Sequence, residues 1–377
     1  MLVTHGSWWI LWPIQFTLVA NYKAIKRAHL HRKGLPPQNG KPYRGFIKSV
    51  TSSIKTQHRN VAHTAELTAG NCHTDYSREF SSRGFHSYVE FFRSFALSHM
   101  FKSSFFLSII LNVAGATWYI AMQLSTGADV TAIYNSSAFS AYLFAVPILH
   151  EAFSWIKAGS VIVAVAGVGF VAYGGPQDHQ ETDNYPHRTL GNIIILTGAV
   201  LYGFYEVMYK RLCCPPAGNV SARREATFSN FTMCLIGINT TIILSSALFI
   251  AYLFGFYSPS FPASFTAWRL VILSVLSNIV FSVSFLGLMS LTSPVFSSVA
   301  SLVTILLVGA SEWLFRGISI GLLQAAGYCL IMAGFCMLTY ASWAEISEED
   351  TEDELIDTDS ESTAPSSERE LASGSNW

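Results

Sequence analysis

The sequence predicts an all-α polytopic membrane protein, and three observations carry that prediction. Half of the residues (51%) are hydrophobic and only 12% are charged, about half the charged share of a soluble domain. The charges are also segregated. Residues 21–103 hold 14 of the 23 lysines and arginines against four acids, whereas residues 342–377 hold 12 of the 24 acids against Arg369 alone. Between those ends run long apolar stretches, and a bilayer core about 30 Å thick takes roughly 20 residues of helix. Nine stretches qualify: 4–22, 104–123, 127–149, 156–174, 189–210, 228–254, 269–290, 292–315 and 317–341.

Taken in order, the first stretch (within 1–22) is read as a true span. A secretory signal carries its positive charge before the apolar core, but here Lys23, Lys26 and Arg27 follow it. Trp8, Trp9 and Trp12 fit an interfacial aromatic belt. The Lys/Arg bias then places the basic segment 23–103 in the cytoplasm as a partly disordered loop. Its last part, 88–106, reads as an amphipathic lead-in, with Tyr88, Phe91, Phe92, Phe95, Ala96 and Met100 sharing a face. Residues 104–210 continue the spans, 211–227 forms a cytoplasmic hairpin bearing Arg211, Arg223 and Arg224, and 228–341 holds the remaining spans. The tail 342–377 is too acidic and too poor in apolar residues to order itself. Ser347, Thr351 and Thr358 each precede an acid by three positions, a pattern suited to phosphorylation, although a solvated solubility tail explains the segment equally well.

The six cysteines show no metal spacing and no disulfide framework. Cys213-Cys214 sits at an expected membrane edge, where palmitoylation competes with the simpler reading of ordinary loop-edge residues. Nothing in the chain supports an enzyme. It carries no nucleophile motif, no histidine metal cluster and no phosphate-binding glycine loop, and no cofactor is expected.

A loose internal echo runs through the apolar part. Residues 130–151 form a polar-headed apolar helix followed by one paced by Gly159 and Gly167; residues 292–312 repeat the sense of it, followed by Gly327 and Gly334. Small residues at such spacing let helices approach closely in lipid, and duplicated halves mark transporters. Four runs then carry a resemblance: "TGADVTAIYNSSAF" (126–139), "LYGFYEVMYKRL" (201–212), "SLTSPVFSSVASL" (290–302) and "ASWAEISEED" (341–350). In order and spacing they are similar to the EamA-type drug/metabolite transporter superfamily and, within it, to solute carrier family 35, subfamily F. The resemblance covers 1–22 and 104–350. It implies ten helices in two inverted five-helix bundles with cytoplasmic termini. Nine spans are counted here, so the family's first helix is expected to be missing.

Ionisable groups inside a membrane cost several kcal/mol and are functional candidates by default, with roughly 3 kcal/mol a lower figure. Asp129, near an outer helix end, and Glu206, flanked by Tyr202, Tyr205 and Tyr209, are the clear cases. The family position matching Glu206 often holds a lysine, so this glutamate is a departure from it. On one continuous helix, Thr131, Asn135, Ala138 and Tyr142 share a face and Asp129, Ser136 and Ser140 the opposite one. The candidate path residues are Tyr134, Asn135, Tyr205, Glu206, Asp129, Trp118 and Asn278. No Lys or Arg lies in the middle of a span, which disfavours phosphate-bearing solutes; an acid among aromatics suits a cation. The resemblance adds a weak prior for thiamine.

The expected function is a secondary transporter of a small polar or cationic organic solute, working by alternating access. The alternatives are a nucleotide-sugar transporter and a non-transporting scaffold or receptor that acts through the basic loop and acidic tail. The expected partners are a small-molecule solute and the lipid bilayer, with room for a homodimer and none for nucleic acid. Vacuolar, Golgi and plasma membranes are all compatible with the chain.

Overall fold

The computed structural model describes residues 2–33, 45–72, 94–174, 185–216, 220–256, 258, 264–316 and 321–341. The acidic tail and residues 88–93 of the expected lead-in lie outside them. Among the described residues the secondary structure is helical throughout. The chain runs through α1 (Leu2–Gly6), a 3-10 turn (Ser7–Ile10), α2 (Leu11–Arg32), α3 (Phe46–Cys72), α4 (Phe95–Leu124), α5 (Gly127–Tyr134) and α6 (Ser137–Leu149). It continues through α7 (Trp155–Gly174), α8 (Arg188–Cys213), α9 (Ala222–Leu253), α10 (Phe265–Leu291), α11 (Pro294–Arg316) and α12 (Leu322–Ala341). Among the described residues seven stretches are long and apolar enough to cross a membrane, within α4, α5–α6, α8, α9, α10, α11 and α12, and α7 contributes a shorter apolar stretch, Trp155–Val171. The protein is thus an all-α, multi-pass integral membrane protein.

Over its described residues each of the nine expected stretches is helical, but the first and fourth are not among the seven long and apolar enough to cross, and the first and third differ in shape from a plain span. The first, 4–22, is divided by the 3-10 turn, and its helix continues as the basic end of α2. The third is divided by a tight turn at Asn135-Ser136 into α5 and α6. The expected lead-in is not a separate interfacial helix over its described part. Ser94 caps α4, its hydroxyl accepting from Leu97 N–H at 3.2 Å, and one helix runs from Phe95 through the span. The chain opens α11 with Ser293 accepting from Phe296 N–H (3.1 Å) and Pro294 at the first helical position, where a proline loses no hydrogen bond.

α8 is the central helix, packed against α4, α5, α6 and α3 and touching α10 and α11. Glycine lets it come so close to α6: a Cβ on Gly203 would lie 2.6 Å from Ala141 N and 2.7 Å from Ser137 O. The same device joins α7 to α12, where a Cβ on Gly167 would lie 2.7 Å from Gly327 O and one on Gly334 2.6 Å from Ser160 O.

α3 lies within the basic stretch, which lacks a clear apolar period. It starts beside the basic end of α2, where Arg27 Nη1 donates to Ser49 O (3.5 Å), runs back along α2 to Gln57, whose Nε2 donates to Phe16 O (3.2 Å), and packs against α4, α8 and α9. Val61, Ala62, Ala65 and Ala69 are buried there with Ala96, Met100, Cys213 and Cys214. Arg224 of α9 ties it down by donating to Thr64 Oγ1 (3.0 Å) and Asn60 O (3.2 Å). Both Cys213 and Cys214 are therefore covered by protein rather than open at an edge.

Candidate functional site

A cavity of about 350 Å³ lies between α1, α4, α5, α6, α8, α10 and α11, and a smaller one of about 60 Å³ shares its His5, Leu111, Tyr202, Phe281 and Phe285 walls. The turn in the third span builds part of the larger cavity. Asn135 turns its amide back to donate to Thr131 O (2.7 Å), and Ser136 Oγ donates to Ile133 O (2.6 Å). Short polar side chains that bond their own backbone compete with the helical ladder. Two such residues in succession tighten the winding, with Ser136 N–H donating to Ile133 O and Phe139 N–H to Ser136 O, and the chain passes through this turn from α5 into α6 with helical dihedrals kept. The turn shifts the register of the two-face pattern expected of one regular helix. Asn135 and Ser137 line the cavity.

An aromatic series crosses the site. Trp118 meets Tyr134 edge-on at 4.9 Å, Tyr134 lies 5.3 Å from Tyr202, and Tyr202 lies 5.7 Å from Tyr205. Phe285 stacks on Tyr202 from α10 at 6.5 Å. Below this wall Glu206 is fully buried and reaches the cavity. Its Oε2 accepts from Ser298 Oγ of α11, and its Oε1 has no hydrogen-bond partner among the described residues. A carboxylate with half its accepting capacity unused, in a space without bulk water, is costly. Its position is explained if something with donors or positive charge fills the space beside it.

The candidates from the sequence divide into three groups. Trp118, Tyr134, Asn135 and Glu206 line the larger cavity together. Tyr205 and Asn278 line the smaller one; the Tyr205 hydroxyl has no partner among the described residues, while Asn278 Oδ1 accepts from Trp8 Nε1 at 3.0 Å. Asp129 stands apart from both. It is fully buried at the head of α5 and is held by Arg188 of α8 through Nε (2.5 Å) and Nη2 (2.9 Å). Tyr173 of α7 donates to it at 2.7 Å and Asn192 at 3.1 Å. This knot fastens α5, α7 and α8 at one end of the bundle.

Sequence reasoning missed His5, Ser298 and Ser301. The two serines do stand in the polar opening of α11, "TSPVFSSVAS", so a signal existed. His5 had none, because its place depends on α1 packing against α9 and α10.

Fold and site together define an integral membrane protein of many helices that encloses a polar-floored, aromatic-walled cavity. Two relatives agree with that class. An uncharacterized transporter of Schizosaccharomyces pombe is 27% identical over 216 residues, 56% of this chain and 60% of the relative. An uncharacterized vacuolar membrane protein of Saccharomyces cerevisiae is 24% identical over 345 residues, 89% of this chain and 79% of the relative. The alignment thus spans less than two thirds of the fission-yeast protein. No family model matches the chain. A solved chain described as "Crystal structure of protein" superimposes with a TM-score of 0.46 at 14% identity, covering 88% of this chain and 98% of its own.

Proposed function

We propose that the protein is a secondary transporter of a small cationic or polar organic solute, with a drug/metabolite-transporter architecture similar to that of solute carrier family 35, subfamily F. The observation that carries this reading is Glu206: a buried carboxylate with one open oxygen, facing a cavity walled by Trp118, Tyr134 and Tyr202. Ion pairing beside aromatic faces is how proteins hold organic cations, since ring quadrupoles add attraction once water is excluded. The two membrane relatives are of the same general kind, one of them a transporter by name. A cavity of about 350 Å³ is at the lower end of the range for small organic ligands. Among the described residues the charged side chains lining it are limited to Glu206, with His5 the other titratable non-tyrosine, and no Lys or Arg is there to meet a phosphate, so a nucleotide sugar is the poorer fit.

Alternating access follows as the mode of transport. The tight turn between α5 and α6 puts a local change of helical winding beside the cavity, at the place where secondary transporters interrupt their helices around a solute.

The test is uptake into vesicles reconstituted with the full chain, using a panel of organic cations that includes thiamine. Glu206→Gln keeps the volume and removes the charge. It is expected to weaken uptake of cations at least about tenfold while sparing neutral analogues, because a buried charge partner is worth upward of 1.4 kcal/mol. Uptake of every cation at the wild-type rate by this variant would remove the reading.

A further inference from the structure

At the end of the bundle away from the Asp129 knot, cations from two helices meet with no acid among the described residues to balance them. α2 and α9 run antiparallel there. Gln15 Nε2 donates to Thr227 Oγ1 (3.4 Å), and Asn230 Nδ2 donates to Gln15 Oε1 (2.8 Å). Two turns further along α2 comes Lys23, with Arg27 one turn beyond it; one turn before Thr227 on α9 comes Arg223. The three approach closely enough that, after burial, Arg223 and then Arg27 are what hold the Lys23 amine below its ordinary proton affinity.

The neighbouring charges are already committed elsewhere. Arg224 points into α3, bonded to Thr64, Asn60 and His63. Glu225 lies 3.9 Å from Lys210, and Glu66 is buried in α3. Arg27 reaches only the Ser49 carbonyl and the Ser53 hydroxyl, both at 3.5 Å. Among the described residues no carboxylate forms an ion pair with Lys23, Arg27 or Arg223. Lys23 and Arg27 are half-buried and Arg223 is exposed; like charges at such close quarters repel one another, and a bound anion relieves that repulsion.

Depth identifies the anion. From Leu2 to Tyr22 the chain has no Lys, Arg, Asp or Glu, and from Ala226 to Leu253 it has none either. The cluster therefore stands where both helices leave the apolar layer. The outward face of α2, Ile14, Leu18 and Tyr22, is exposed and apolar down to the same level. Lipid reaches the cleft, and lipid phosphates lie at that height. We infer that the cleft between α2 and α9, bounded by Lys23, Arg27 and Arg223, binds the phosphate-bearing headgroup of an anionic phospholipid. The inference is independent of what the central cavity carries.

The test uses the full chain in detergent, titrated with phosphatidylinositol 4-phosphate, with phosphatidylcholine and with inorganic phosphate, and read by native mass spectrometry. The anionic lipid is expected to bind, and the double variant Lys23→Gln/Arg223→Gln to hold it about tenfold more weakly. Lys23→Arg/Arg223→Lys, which keeps the charge, should retain binding and guards against a simple folding defect. Lys48→Gln/Lys55→Gln on the exposed side of α3 removes the same charge elsewhere and should change little. If that control loses as much, the attraction is diffuse and the assigned cleft is wrong. Equal affinity for inorganic phosphate would mean a free-anion site and overturn the lipid assignment. Binding that emerges only after removal of residues 343–377 would make the acidic segment the natural occupant, which also overturns it.

Discussion

Asp129 and Glu66 are both buried carboxylates, and their surroundings treat them in opposite ways. Asp129 receives bonds from Arg188, Tyr173 and Asn192. Glu66 is buried in α3 with no partner for its Oε2 among the described residues, and burial pushes its carboxyl up to about 8. A group whose folded value lies above its unfolded value binds more protons when folded, so stability falls as pH rises between the two. The docking of α3 should therefore weaken from about pH 4.5 to about pH 8 and level off above that. Glu66→Gln is expected to flatten that slope and to stabilise the protein by about 1–3 kcal/mol at alkaline pH, read as thermal unfolding across pH. A slope unchanged in the variant would exclude Glu66 as its source. At Asp129 the two halves of the ion pair are unequal: the Arg188 side chain is 32% exposed and that of Asp129 is 0%. Losing Asp129 leaves an arginine that can turn to water, whereas losing Arg188 leaves a carboxylate that cannot. Arg188→Gln is thus expected to cost more than Asp129→Asn, approaching the roughly 3–5 kcal/mol seen when one partner of a buried pair is removed. Thermal unfolding of both variants measures the difference, and equal costs would contradict it. Asp129 and Glu206 were legible in the sequence because a charge in an apolar run stands out. Their partners were not, because Arg188 and Ser298 lie 59 and 92 positions away and meet them only through helix packing.

The same division appears among the elements. Long apolar stretches announced the helices, since apolar length alone decides whether a segment can enter a bilayer. α3 gave no such notice. The residues it buries are largely Ala, Ser and Thr, whose pattern carries little apolar contrast, and the neighbouring helix ends supply its place. The turn between α5 and α6 was hidden for a different reason: Asn and Ser are polar wherever they stand, and only the bonds to Thr131 O and Ile133 O show that they tighten the helix there. Glycine spacing foretold that helices would touch without saying where. Gly167 and Gly334 lie against backbone across the α7–α12 contact, while Gly159, equally conspicuous in sequence, has nothing within 4 Å. Gly167→Leu and Gly334→Leu should therefore separate α7 from α12 and lower the unfolding temperature, by an amount set by several kcal/mol of overpacking. Gly159→Leu should leave it close to wild type. A large loss at Gly159, or none at Gly167, would mean that the two helices are not held together there.

Across the whole molecule, the cavity is closed on the α3 side by two layers. The first is made by Tyr205 and Tyr209, the latter hydrogen-bonded to Ser229 at 3.1 Å. The second is α3 itself, whose Ala62, Ala65 and Ala69 are buried with Cys213 and Cys214 at the end of α8. The proposed alternating access requires a solute beside Glu206 to leave past these layers, so α3 must part from α8 at some point in the cycle. Cys213 and Cys214 report on that separation without any engineering. They are 1% and 3% exposed, and a thiol must reach water to form the thiolate that reacts. Labelling of the reconstituted chain with a polar maleimide, located by peptide mass spectrometry, should be slow at these two positions at rest. Ala65→Trp, which forces a large ring into a site without room for it, should speed labelling there severalfold. A transported cation added to wild type should do the same, and Glu206→Gln should abolish that increase while leaving the effect of Ala65→Trp intact. If Cys213 and Cys214 react no faster during transport than at rest, the solute does not leave beneath α3. The helix would then be a fixed strap across the bundle, and the route would have to run along the far side of the tyrosine layer, between α10 and α11.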